Sequence, residues 1–296
     1  AIGCSWDDVE KNLGVLTSQA VAAMEADKRR FHDKAQDVSD DNRRKALRGI
    51  VSSIENGDFL VYLQPKVDLS TRRTVGAEAL IRYRDASGNI VPPGRFIPVL
   101  EENGLVRHAD LFVLEQVSRL LERWKREGCA VPVSVNLSRR TVLESDVIPS
   151  IEGITSRYDI DRSMLEIEIT ESFGTVGRGV LYQVASELLR VGFSLSLDDF
   201  GTKYTDLSIL SSISFHVVKL DKSLIDTLAD DKIKQTIVRH IVGMCFDLGV
   251  DVIAEGIETP DQETMLQGLG CHLGQGYLYS RPVPLEDFER GFLPRL

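Results

Sequence analysis

The sequence predicts an α/β protein, a TIM-like (βα)8 barrel whose first strand runs antiparallel to the rest. Three observations predict it. Eight short apolar or alternating stretches recur between Phe59 and Ser280. Helical patterns follow most of them, the alternation expected of a parallel barrel. The first two stretches are joined only by Ser70-Thr71-Arg72-Arg73, a hairpin-length link that requires antiparallel pairing. A doubly wound sheet is the alternative arrangement of such elements.

Residues 1–35 read as a strand end, Ile2-Gly3-Cys4, and a helix from Leu16 to His32 with Ala20, Val21 and Met24 on one face. A strand and a helix cannot make a core alone. Residues 36–57 form a polar linker and a leading helix whose apolar face carries Leu47, Ile50, Val51 and Ile54. Asp40 or Asp41 suits its start, and Asn56-Gly57-Asp58 its stop. The barrel is expected over residues 58–296. Its strands are predicted at Phe59 to Leu69, Thr74 to Tyr83, Val131 to Leu137, Leu165 to Thr170, Phe193 to Asp199, His216 to Asp221, Asp251 to Ile257 and Gly274 to Ser280. Helices are predicted at Ile97 to Asn103, Ala109 to Gly128, Asp146 to Tyr158, Gly179 to Val191, Asp231 to Leu248, Pro260 to Leu269 and Leu285 to Phe292.

Composition narrows the function classes. A formal net charge of −10 over 296 residues argues against non-specific binding to nucleic acid polymers or acidic membranes. A phosphate-containing substrate is compatible if metal ions supply positive charge. No apolar run is long enough to span a bilayer, and no signal-peptide pattern is present. Cys4, Cys129, Cys245 and Cys271 are far apart and form no CxxC pair. They read as reduced thiols of a cytoplasmic protein.

The stretch SLSLDDFGTKY, Ser194 to Tyr204, delivers two adjacent carboxylates, Asp198 and Asp199, at a strand end. Other predicted strands carry Glu78, Asn136, Glu168, Lys219 and Glu255 near their C-terminal ends. In a parallel barrel these side chains converge on one mouth. So many carboxylates cannot all stay ionised together without cations. Oxygen donors suit Mg²⁺ or Mn²⁺ rather than Zn²⁺. Adjacent Asp198 and Asp199 can serve two ions, the arrangement of phosphodiester-cleaving sites.

At these residues the chain resembles the EAL domain family of bacterial cyclic di-GMP phosphodiesterases. The name motif stands as Glu78-Ala79-Leu80, followed by Ile81-Arg82. The other matches are Gln64-Pro65, Phe96-Ile97-Pro98, Val135-Asn136-Leu137-Ser138, Glu168-Ile169-Thr170-Glu171, Asp198-Asp199-Phe200-Gly201, Lys219-Leu220-Asp221, Ala254-Glu255-Gly256-Ile257-Glu258 and Gln275-Gly276-Tyr277. The resemblance implies hydrolysis of cyclic di-GMP to linear pGpG with two Mg²⁺ or Mn²⁺ ions. It implies that Glu78, Asn136, Glu168 and Asp198 hold the first metal. Asp198 and Asp199 would hold the second, with Gln275 and Glu255 near it. Lys219 looks like the residue that positions or deprotonates the attacking water, with Glu255 as the rival base. Gln64, Leu80, Arg82, Asp221 and Glu258 match the substrate groove, and Glu171 resembles the anchor of the loop that follows Asp199. A homodimer is also implied.

Where the family reads Phe-Gly-x-Gly-Tyr-Ser-Ser, this chain has Phe200-Gly201-Thr202-Lys203-Tyr204-Thr205-Asp206. That departure leaves a catalytically weak or inactive cyclic di-GMP receptor as the alternative. Residues 1–35 resemble the end of a GGDEF domain without its signature. They imply an upstream sensor or GGDEF domain in the full-length protein, through which it could be tethered to a membrane.

Overall fold

The computed structural model describes residues 49, 52–54, 56–170, 174–202 and 207–293. Two units are distinguished, Ala1–Asn56 and Gly57–Leu296, and the barrel is the second. The elements expected over residues 1–35 and most of those over 36–57 lie outside the described residues. So do Glu171 and the run Lys203 to Asp206.

Strands β1 (Phe59–Asp68) and β2 (Thr74–Arg84) form an antiparallel hairpin. Its turn is held by Asp68, whose Oδ1 accepts from the backbone N–H groups of Ser70 and Thr71. The two-residue β3 (Ile90–Val91) folds back on β2. Strands β4 (Val133–Leu137), β5 (Leu165–Thr170), β6 (Ser194–Phe200), β7 (Val217–Leu220), β8 (Asp251–Ala254) and β9 (Leu273–Gly274) continue from β2 in parallel. β9 then pairs antiparallel with β1, which closes an eight-stranded barrel. A last short strand, β10 (Val283–Pro284), adds to β1 from outside.

The helices are α1 (Ile97–Glu102), α2 (Val106–Glu127), α3 (Arg139–Val142), α4 (Val147–Thr155), α5 (Gly174–Arg190), α6 (Ser208–Ser212), α7 (Lys222–Ile225), α8 (Lys232–Leu248), α9 (Pro260–Gly268) and α10 (Leu285–Gly291). One parity of each parallel strand is apolar and buried: Val133, Val135 and Leu137; Leu165, Ile167 and Ile169; Leu195 and Leu197. Helices cover that layer. α2 buries Val113, Leu114, Val117, Leu121 and Trp124 at helical spacing. Each such side chain contributes about 1.5–3 kcal/mol by leaving water. Trp124 stacks on Phe288 of α10 at 6.0 Å and donates its indole N–H to Glu289. Among the described residues no helix is long and apolar enough to cross a membrane.

Two predicted strands end early. Asp251 to Ile257 stops at Ala254, so Glu255 lies just beyond the strand. Gly274 to Ser280 reduces to Leu273–Gly274. The Gly276 carbonyl accepts from the N–H groups of Tyr279 and Ser280, which turns the chain. The Leu278 N–H donates back to the Ile257 carbonyl. The alternating pattern of Tyr277 and Tyr279 reflects this turn, not a strand.

Candidate active site

The opposite parity of the strands is polar. Ser134, Glu166, Glu168, Ser196, Asp198 and Lys219 are all buried. Lateral register puts Asn136 beside Glu168 and Glu168 beside Ser196. These side chains face the lumen, because residues from non-adjacent strands meet there. Lys219 of β7 reaches Glu168 of β5, and Lys66 of β1 reaches Glu166 of β5.

Lys219 is the centre. Its ammonium lies 2.6 Å from Glu168 Oε2, 2.8 Å from Glu255 Oε1, 3.1 Å from Asp198 Oδ1 and 3.6 Å from Glu78 Oε2. Asn136 donates its amide to Glu78 Oε1 at 2.9 Å. Gln275 donates to Glu78 Oε2 at 2.6 Å and to Gln64 Oε1 at 3.0 Å. The side chains of Gln64, Glu78, Leu80, Asp198, Lys219, Glu255, Glu258 and Gln275 line one cavity of about 270 Å³ at the mouth.

Local backbone explains how these groups meet. In an ordinary strand Asp198 and Asp199 would point to opposite faces. Here the β6–β7 register slips between Leu197 and Phe200, and Asp199 takes φ 59°. Such a bulge re-aims a side chain at a strand end, and a non-glycine residue held at positive φ is strained; Asp199 itself is exposed and does not line the cavity. Glu255 is followed by Gly256 at φ 69°, where a Cβ would overlap Lys222. Gln275 is followed by Gly276, where a Cβ would overlap the Ile257 backbone. That close approach brings the Gln275 segment against Glu255.

Charge is unbalanced in the lumen. Burial pushes the carboxyls of Glu78, Asp198 and Asp199 above their ordinary values, against the pull of Lys219. Glu255 is pushed up to about 8 by the same cause. Only Glu168 is held low, at about 2: burial opposes its charge, but Lys219 and Lys66 outweigh it. Lys219 is itself raised well above its ordinary value, because four acids overcome its desolvation.

Among the described residues, no three Asp, Glu, His or Cys side chains alone are arranged to hold a metal ion. Lys219 stands among the acids, and amides supply part of the donor set. The chemistry nonetheless fits divalent cations. Four acids, Glu78, Glu168, Asp198 and Glu255, crowd one ammonium, and every donor is oxygen or amide. Gln275 Oε1 is buried without a hydrogen-bond partner, a lone pair free for a cation.

Some sequence-predicted residues stand apart from the mouth cavity. Arg82 lies over the Tyr62 ring at 5.5 Å and donates to its neighbour's carbonyl. Asp221 caps α7 by accepting from the Ser223 N–H. Sequence reasoning missed Lys222 and Tyr277, which also line the cavity, and the buried pair Lys66–Glu166. Lys66 shares strand parity with Gln64, a signal that was available.

The EAL domain profile matches residues 44–282. The chain is 35% identical over 235 residues to the cyclic di-GMP phosphodiesterase PA2567 of Pseudomonas aeruginosa, covering 79% of this chain and 40% of that protein. It is 35% identical over 249 residues to the signaling protein YkoW of Bacillus subtilis, covering 84% and 31%. It thus spans less than half the length of these curated relatives. A solved structure described as the PaMucR phosphodiesterase in complex with c-di-GMP superposes with a TM-score of 0.77 at 31% identity, covering 82% of this chain and 99% of that one.

Proposed function

This chain belongs to the EAL domain family, and from that membership we propose that it is a metal-dependent phosphodiesterase hydrolysing cyclic di-GMP to linear pGpG with two Mg²⁺ or Mn²⁺ ions. The observation that carries the reading is the excess of carboxylate over ammonium at the mouth, where the Lys219 ammonium stands among Glu78, Glu168, Asp198 and Glu255. Glu78, Asn136, Glu168 and Asp198 would hold one ion. Asp198 and Asp199 would hold the other, with Gln275 and Glu255 beside it. Bound there, the ions supply charge against the phosphate oxygens and lower the pKa of water.

The chain's own residues do the rest. Through its ammonium Lys219 holds Glu168, Glu255 and Asp198 in place. Glu255, which lines the cavity with Oε1 2.8 Å from Lys219, is placed to take the proton of the attacking water. Water adds its hydroxyl to phosphorus and gives its proton to Glu255, the bond to the 3′ oxygen breaks, and that oxygen takes up a proton from solvent. Gln64, Leu80, Arg82, Asp221 and Glu258 form the substrate groove, where the Arg82 guanidinium suits a phosphate or a guanine edge. A homodimer, with a sensor or GGDEF domain upstream in the full-length protein, belongs to the same proposal.

The test is incubation with cyclic di-GMP and Mg²⁺ or Mn²⁺, with an EDTA control and chromatographic separation of products. Metal-dependent pGpG is expected. Tight binding with intact nucleotide would replace the enzyme by a receptor.

A further inference from the structure

Beneath the mouth acids lies a second pair of charges. Lys66 is 4% exposed on β1. Its ammonium donates to Glu166 Oε1 at 2.9 Å and to Glu168 Oε1 at 3.2 Å. Three strand pairings separate β1 from β5 by the shorter way around the barrel, so these contacts cross the lumen. Glu166 is buried too. Lys66 does not line the mouth cavity.

The consequence is a division of one carboxylate. Glu168 gives Oε2 to Lys219 and Oε1 to Lys66. Glu78, by contrast, is held by the amides of Asn136 and Gln275, with Lys219 farther off. A carboxylate gripped by a cation at each oxygen has its plane fixed, and the grip on Oε1 comes from inside the barrel.

Folding alone does not account for this lysine. Burying its charge costs several kcal/mol, and well-packed apolar residues in place of a buried ion pair are often neutral or stabilising. Groups behind metal-binding carboxylates, in contrast, orient them. We propose that Lys66, with Glu166 as its counterion, is a positioning residue that fixes the Glu168 carboxylate from within the barrel and so sets the site's affinity for divalent cations. This rests on the metal-dependent reading above.

Lys66→Met alone strands Glu166 without its cation and is a poor test. The informative variant is Lys66→Met combined with Glu166→Gln. Mn²⁺ alone is titrated into metal-stripped protein, cyclic di-GMP binding is measured without metal, and turnover is followed across Mn²⁺ concentrations. The double variant is expected to melt near wild type and to bind nucleotide unchanged. Its Mn²⁺ affinity falls on the order of 10–100-fold, the usual effect of losing a group behind a metal ligand. Turnover recovers at high Mn²⁺. Glu166→Gln alone, which keeps the Lys66–Glu168 contact, loses less, and Lys66→Arg, which keeps the cation, retains more affinity than Lys66→Met. A folded double variant with wild-type Mn²⁺ affinity overturns the inference. Wild-type protein that takes up no Mn²⁺ overturns the metal reading itself.

Discussion

Replacing Lys219 by Met removes the ammonium that four acids share. The nearest contact, 2.6 Å to Glu168, corresponds to about 6 kcal/mol of gross attraction at an effective dielectric constant near 20. Desolvation of the lysine offsets much of this. The net cost of stripping one partner from a buried ion pair is about 3–5 kcal/mol. For a domain of this size that lowers the melting temperature by roughly 6–20 °C. Divalent cations then become worth more to the variant than to wild type, because they supply the charge Lys219 supplied. Saturation at about 100 times Kd adds roughly 2.7 kcal/mol. The assay is thermal unfolding of both metal-stripped proteins, with and without Mn²⁺, at mildly alkaline pH. Without metal the variant is expected to melt well below wild type, and Mn²⁺ to narrow the gap. An unchanged melting temperature without metal, or an equal Mn²⁺ effect on both proteins, would refute the reasoning.

Three further outcomes are expected. Asp199→Asn abolishes turnover yet spares cyclic di-GMP binding, read by product chromatography and isothermal titration; undiminished turnover contradicts the two-ion assignment. Gly276→Ala forces its methyl into the Ile257 backbone and costs about 1–3 kcal/mol as overpacking does, checked by urea unfolding, with a loss of turnover as Gln275 is displaced. Asp110 is pushed up to about 6 by burial, although Thr141 and Ser138 donate to it. Between its unfolded value near 4 and 6 the folded form keeps a proton the unfolded form has lost, so this group's contribution to stability falls as pH rises, by about 3 kcal/mol in all. Asp110→Asn therefore flattens the urea midpoint between about pH 4 and pH 6.5; an unaltered slope sinks the assignment.

The barrel was legible because its signals are local. Apolar parity in stretches such as Leu165-Glu166-Ile167-Glu168-Ile169 and the short link after Leu69 need no tertiary information. The strand-end rule also placed Glu78, Glu168, Asp198 and Lys219 in one lumen. What the chain hides depends on closure. Lys66 shares strand parity with Gln64, but its partners on β5 are fixed only when the barrel closes. The bulge at Asp198-Asp199 has no sequence signature, since αL geometry at an aspartate comes from the register of its neighbour. The segment after Gly274 looks like a strand because Tyr277 and Tyr279 alternate with their neighbours. The close approach of Gly276 to Ile257 is visible only in three dimensions.

The most direct test of the central claim is Mn²⁺ titration of metal-stripped protein, followed by cyclic di-GMP turnover on the same samples. Two bound ions, with pGpG production rising as they fill, is the predicted result. Turnover at full rate in EDTA, or protein that takes up no Mn²⁺ and leaves the nucleotide intact, would contradict it.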